Sequence, residues 1–509
     1  MSHFHRLHLL AAYFAGSGLA TTSGLLKEPL GCPRAEELES AAFTLSASLP
    51  CLATPAILYN SPCSHRAEQR LPRGLNEPSV GATRLPCSWA TGSLFERSEE
   101  LSEFVDGLKL AWIHVVPFYI LFFVLLLQTY VPERMQALHL PPGPYDSKNP
   151  PTASSLIYDT AFPTPTPSPT EYLIKVQAAV PCAGELACRN VLNSSTERQA
   201  HGLIPAHEFS GKVISTPTED QFNSNGPKFK VGDEVFGLLS FDRDGAAADY
   251  TLATEGELAF KPRNLSFAEA AALPLAGLTA FQAFFVHAGL DPDDGISNRP
   301  AERPLRVLVT NALDEVGMHA LQLLQSQQLF PEYNTHMMGG GKRDVTVWVC
   351  AMGQRDDLNF IRKELGANAV TAATDIPAAF RENGWDPVDI VIECRGGATL
   401  RQVHSPVVVN DHGHVLSICR PPSGHPERPA EQDERTEIQS RQLTSELVIA
   451  RPNGNHLAKI AQLIEKGDVK PVTRFEVVDL LQGRDAMIRA ENEGGGKGKV
   501  VLRVDPAIS

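Results

Sequence analysis

Hydrophobic and polar positions divide the chain into stretches of different character. Residues 1–109 show no sustained helical or strand period, with Pro, Ser and Gly scattered throughout, so no fold is assigned to this extension. Residues 110–130, LAWIHVVPFYILFFVLLLQTY, are the most apolar run of the protein. As a helix rising about 1.5 Å per residue this run reaches roughly 30 Å, the thickness of a bilayer's hydrocarbon core. Trp112, Tyr119 and Tyr130 suit an interfacial belt, and Pro117 kinks such a helix without forbidding it. A single transmembrane helix is therefore expected at 110–130, with a buried core helix as the alternative.

From Met135 onward the pattern becomes regular. MQALHL alternates as a strand, AFPTPTPSPT reads as a proline-rich spacer, and EYLIKVQAA is a second strand. Residues 171–285 carry short strands and turns, KFKVGDEVFGL and DGAAADYTLA among them, closed by the helical AEAAAL. After residue 305 strands and helices alternate: RVLVT, VGMHALQLLQ, VTVWVCA, DDLNFIRKEL, VDIVIEC, HVLSIC. Unbroken runs of Val, Ile and Leu separated by helices predict a parallel sheet covered on both faces. The polar stretch RPPSGHPERPAEQDERTEIQSRQ from Arg420 reads as a solvent loop; GNHLAKIAQLIEKG is an amphipathic helix and KGKVVLRV a last strand.

Composition narrows the function classes. The chain has 509 residues and a net charge of −14, and no Lys/Arg-rich block is interleaved with aromatics, which speaks against a nucleic-acid partner. None of the nine cysteines forms a CxxC pair. Those from Cys182 onward read as thiols of a reduced, cytosolic domain, whereas Cys32, Cys51, Cys63 and Cys87 could pair if the weak signal-like LHLLAAYFAG were real. MMGGGKRD lacks the residues of a phosphate-binding P-loop, and EGGGKGKV reads as a turn before the last strand.

The ordered motifs AHEFSGKV, FKVGDEVFG, AEAAALPLAGLTAFQAF, VLVTNALDEVG, LGANAV, DIVIECRGG, HVLSI and GKVVLRV resemble the medium-chain dehydrogenase/reductase superfamily over residues 135–509. The resemblance implies an α/β protein: a GroES-like β-barrel domain over 135–287, a Rossmann domain with a doubly wound parallel sheet over 288–425, and a C-terminal return to the first domain over 426–509. It implies a small-molecule substrate and admits a homodimer. A catalytic zinc in this family uses three protein ligands; Cys182 and His207 match two, and the third position falls on Leu275, which cannot bind metal. Glu208 offers an alternative third ligand, the set of a zinc alcohol or polyol dehydrogenase. The resemblance points instead to the zinc-independent branch of quinone oxidoreductases and enoyl reductases. There the cleft is lined by Cys182, Glu185, His207 and Thr279, with His207 the proton donor and Thr279 and the backbone of Ile418 placing the nicotinamide.

The cofactor turn is degenerate. Where the family has A/G-x-x-G-x-x-G after the first Rossmann strand, this chain has Asn311, Asp314 and Gly317, and Glu315 and Val316 open the helix. Small residues normally let a diphosphate reach the helix amides. Here Asp314 is either an unwelcome charge beside the diphosphate or an N-cap that takes its amides. The second strand ends WVCAMGQR without an acidic residue for a ribose hydroxyl, and Arg355 stands where a cation meets a 2′-phosphate. An NADPH-dependent reductase is expected, membrane-associated with its enzyme domain in the cytoplasm, or cytoplasmic if the chain starts near Met135. A non-catalytic, membrane-attached relative with a lost cofactor site is the remaining alternative.

Overall fold

The described strands form a two-stranded antiparallel sheet, a six-stranded parallel sheet and a seven-stranded, largely antiparallel sheet that includes the last two strands in the chain. The computed structural model describes residues 131–505 apart from 146–147, 183, 188–199, 219–225, 293–303, 331–346, 420–431, 472–474 and 494–497. The apolar run 110–130, the early cysteines, Cys188 and the MMGGGKRD segment lie outside the described residues. Among the described residues no helix is long and apolar enough to cross a membrane. All of them belong to one compact unit, Ser102–Ser509.

Strand β1 (Arg134–His139) pairs antiparallel with β2 (Ile157–Pro163). The spacer expected from AFPTPTPSPT therefore begins at Thr164, because Ala161, Phe162 and Pro163 complete β2. The main antiparallel sheet contains β3 (Tyr172–Val180), β4 (Glu208–Ser215), β5 (Glu234–Leu238), β6 (Tyr250–Ala253) and β7 (Leu258–Phe260). It is completed by β14 (Phe475–Asp479) and β15 (Lys499–Arg503), giving the order β14-β15-β3-β4-β5-β7 with β6 also on β3. The last strand thus returns some 300 residues along the chain to lie beside β3, where Leu502 faces Ala179. Tyr250 packs inside this domain's core, as its setting in DGAAADY suggests.

The second sheet holds β8 (Leu305–Val309), β9 (Val347–Met352), β10 (Ala369–Thr371), β11 (Val388–Glu393), β12 (Val409–Ser417) and β13 (Thr444–Leu447). Its order is β10-β9-β8-β11-β12-β13, all parallel. This is the doubly wound arrangement, whose chain reverses direction across the sheet between β8 and β11 and leaves a crevice at their carboxyl ends. Neighbouring residues of one strand enter different cores: Val307, Val309, Ile390 and Ile392 pack on one face, Leu308 and Val391 on the other. Alternation of side chains across a sheet covered twice is why these strands are apolar at every position.

Helices α1 (Phe267–Ala271) and α2 (Pro274–Gln282) follow the first sheet, and α3 (Glu315–Gln325) follows β8. Leu278 and Phe281 of α2 share one core with Leu321 and Leu324 of α3. That shared core welds the two domains along the crevice.

Two expectations are corrected here. The stretch read as a solvent loop contains helix α4 (Gln432–Ser440), and β13 after it still belongs to the parallel sheet. The return to the first domain therefore starts at β14, not at residue 426. A parallel neighbour of β12 needs a crossover, and the polar segment supplies it; its helix is too exposed for apolar periodicity to show.

Candidate active site

The crevice is reached from the first domain through the turn that opens β4. Ala206 has φ 70°, a left-handed backbone that an alanine adopts only under constraint. Two bonds supply the constraint: the Ala206 amide donates to Glu185 Oε1 at 2.7 Å, and the Ala246 amide donates to the Ala206 carbonyl at 2.6 Å. Gly245 lets the loop approach, since a Cβ there would lie 2.2 Å from the Pro205 carbonyl oxygen.

This turn fixes His207, which is buried and stacked on Phe241 with ring centroids 4.5 Å apart. Its Nδ1 lies 2.5 Å from Glu185 Oε1, and its Nε2 lies 3.0 Å from the Arg243 carbonyl oxygen. A carbonyl only accepts, so the contact with Arg243 is a hydrogen bond in the ring form that carries its proton on Nε2. Glu185 is itself buried and accepts the Cys182 amide at 2.8 Å through Oε2. Arg243, whose carbonyl receives the histidine, is anchored by Glu257 at 2.8 Å and by Glu171.

Glu208, the next residue, is fully buried and points to a different partner. Its Oε2 accepts the Leu275 amide in the first turn of α2 at 2.9 Å, and Lys499 Nζ donates to both oxygens at 2.7 and 2.9 Å. Lys499, the first residue of β15, also donates to the Ala272 carbonyl at 2.8 Å and lies 3.3 Å from Glu315 Oε2. One cation thus joins both domains: Glu208 comes from β4 and Glu315 from the first turn of α3. Burial pushes the Glu208 carboxyl up to about 7 despite Lys499. Lys499 is held as an ammonium by the two carboxylates, which outweigh its own burial. Cys182 is half-buried with Sγ 3.9 Å from Glu208 Oε1; burial, then Glu208 and Glu185, push its thiol well up, so it stays a thiol. His319, in the second turn of α3, is pushed down to about 3 by burial and by Lys499, and its Nε2 has no hydrogen-bond partner.

At the cofactor turn Asp314 is the N-cap of α3: its Oδ1 accepts the Val316 amide at 3.0 Å, and the Gly317 amide faces the same carboxylate. Gly317 holds the turn against the helix, since a Cβ would come within 2.1 Å of the Asn311 carbonyl oxygen. Burial pushes the Asp314 carboxyl above the usual carboxylate range, with Glu315 adding to the rise and the Val316 amide opposing it.

The structure therefore gathers Cys182, Glu185, His207, Glu208, Asp314, Glu315, Val316 and Gly317 of the expected site residues. Thr279 is buried and donates to the Leu275 carbonyl at 2.6 Å within its own helix. Ile418 is bonded through its amide to the Glu393 carbonyl at 3.0 Å at the crevice edge. Arg355 stands exposed just past β9. His207, expected as the proton donor, presents no free ring nitrogen. Lys499 was missed because KGKV looks like a charged turn. No signal in the neighbouring sequence could have found it, because its partners Glu208 and Glu315 are distant along the chain.

Two groups can be tested against these residues. Zinc does not fit the Cys182, His207, Glu208 set as folded: both His207 ring nitrogens face other acceptors, and Glu208 is tied to Lys499 and the α2 amide. Among the described residues no group of three His, Cys, Asp or Glu side chains could hold a metal. A dinucleotide fits the crevice of a doubly wound sheet but not its diphosphate position as folded, where Asp314 holds the helix amides and Glu208 and Glu315 hold the cation.

A six-stranded doubly wound sheet is joined through one core to a largely antiparallel domain that includes the returning strands β14 and β15. The zinc-binding dehydrogenase family profile matches residues 365–502. A protein named probable zinc-binding oxidoreductase, mitochondrial, from Arthroderma benhamiae is 31% identical over 354 residues, 67% of this chain and 91% of that protein. The chloroplast envelope quinone oxidoreductase homolog of Arabidopsis thaliana is 27% identical, covering 67% of this chain and 92% of that one. In fold, the quinone oxidoreductase of Coxiella burnetii aligns with a TM-score of 0.53 at 21% identity, over 73% of this chain and all of the other. The chain belongs to the medium-chain dehydrogenase/reductase superfamily.

Proposed function

We propose that this chain is an NADPH-dependent, zinc-independent reductase acting on a conjugated acceptor: a quinone, an enone or an enoyl thioester. The observation that carries the reading is the pairing of His207, whose two ring nitrogens face Glu185 and the Arg243 carbonyl. With that imidazole committed, no group of three His, Cys, Asp or Glu side chains among the described residues could hold a Lewis-acidic metal against a simple carbonyl. An acceptor whose own conjugation spreads the developing charge suits such a site. A dinucleotide held in the crevice at the carboxyl ends of β8 and β11 would supply the hydride.

The chain's own residues supply the surroundings. Glu185 and His207 set the shape of the cleft wall by pinning the turn at Ala206 and the Cys182 amide, as positioning residues. Glu208, whose carboxyl burial pushes up to about 7, accepts from Cys182 Sγ at 3.9 Å and so offers a proton-exchanging group behind the cleft wall. Arg355, exposed past β9, suits the extra phosphate of NADPH. The quinone oxidoreductase name of the Arabidopsis relative supports the acceptor class, and the organelle names of both relatives support an organelle as working compartment.

Full-length protein titrated with NADPH and NADH by thermal shift, then assayed with 1,4-naphthoquinone and an α,β-unsaturated aldehyde, tests the reading. Stabilisation by NADPH and its oxidation by both acceptors are expected, with zinc far below one per chain by elemental analysis. Stoichiometric zinc that is lost on His207→Ala, together with oxidation of simple alcohols, overturns it in favour of a zinc dehydrogenase.

A further inference from the structure

Two adjacent acids occupy both anion-binding groups of the cofactor crevice. Asp314 Oδ1 lies 3.0 Å from the Val316 amide and also faces the Gly317 amide, the donors that a helix N-terminus offers to a phosphate. Glu315 Oε2 lies 3.3 Å from Lys499 Nζ, the buried cation beside that terminus. The turn is otherwise kept tight, with Gly317 pressed on the Asn311 carbonyl. Two neighbouring carboxylates, one on amides and one on a cation, reproduce the charge pattern of a diphosphate.

We infer that Asp314 and Glu315 act as an internal substitute for the cofactor's diphosphate, so that dinucleotide binding requires these two carboxylates to release the α3 amides and Lys499. The inference rests on the reductase reading and deepens it by naming what limits cofactor affinity. The resting crevice is closed electrostatically by its own sequence. The acids leave Lys499 facing Glu208 and Glu315 at once, so an incoming diphosphate meets no unpaired cation there. Removing either carboxylate frees one subsite. Each removal is expected to tighten NADPH on the order of tenfold at low ionic strength, with less gain in high salt.

The test uses full-length protein, wild type, Asp314→Asn, Glu315→Gln and the double variant, titrated with NADPH by cofactor fluorescence and with inorganic pyrophosphate as competitor. Asn keeps an oxygen for the Val316 amide, so the cap survives while its charge goes; melting curves confirm that each variant is folded. Expected are a Kd for NADPH about tenfold lower in each single variant and lower again in the double, with pyrophosphate competing most effectively in the double. A Kd unchanged within about twofold across the whole set, with wild type binding, overturns the inference and leaves the reductase reading intact. Absence of NADPH binding in every folded variant overturns both and returns the domain to an inherited scaffold.

Discussion

Lys499 Nζ lies 2.7 Å from Glu208 Oε1, a bond between residues 291 positions apart. Through it the first residue of the last strand neutralises the most deeply buried carboxylate of β4, and the same ammonium reaches Glu315 of the parallel-sheet domain. The two domains share an apolar core, and this cation pairs with a carboxylate from each of them at the crevice.

Above about pH 7, where Glu208 is ionised in the wild type, Lys499→Met removes its counter-charge, so the variant should lose up to about 3–5 kcal/mol of stability. Adding Glu208→Gln should restore much of it. Urea denaturation of both variants decides this; a single variant as stable as wild type sinks the pin.

Glu208 also sets a pH dependence. Its folded carboxyl holds a proton to about 7, whereas its ordinary value is 4.5, so the folded state binds more protons in that window. Stability from this group therefore falls as pH rises from 4.5 towards about 7, the reverse of an ordinary salt-bridged carboxylate. Lys499, also raised, contributes its change only in the alkaline range. Wild type measured against Glu208→Gln should lose relative stability across this window; parallel profiles would contradict the assignment.

Glu185 accepts two backbone amides and faces His207 from full burial. Glu185→Ala should cost roughly 3–5 kcal/mol by stranding these groups, and Glu185→Gln on the order of 1–2, since it still accepts. The same denaturation series reads the difference. Equal losses in the two would mean that the hydrogen bonds do not hold the turn at Ala206.

Arg355→Ala should weaken NADPH about tenfold and leave NADH unchanged, because only the former carries a 2′-phosphate. Parallel titrations of the variant check this. An unaltered preference removes Arg355 from the site.

Local pattern carried the architecture. Continuous apolar runs such as LRVLV and VDIVIE announced strands buried on two faces, and Asp314 before α3 announced its cap. Periodicity records which side of an element is dry, and it does so wherever the element lies. It was silent at α4, where a polar crossover helix buries little, and the start of the chain's return was misplaced for that reason.

Partnership of charges was decided by tertiary structure alone. Nothing near Lys499 in KGKV distinguishes it from a solvated lysine, and nothing near His207 says that both its nitrogens are taken. A buried ion needs an opposite one at hydrogen-bond range, and chain topology, not neighbouring sequence, determines which one arrives. The residue types of the crevice were written in the chain; their pairing came from folding a last strand back onto a first sheet.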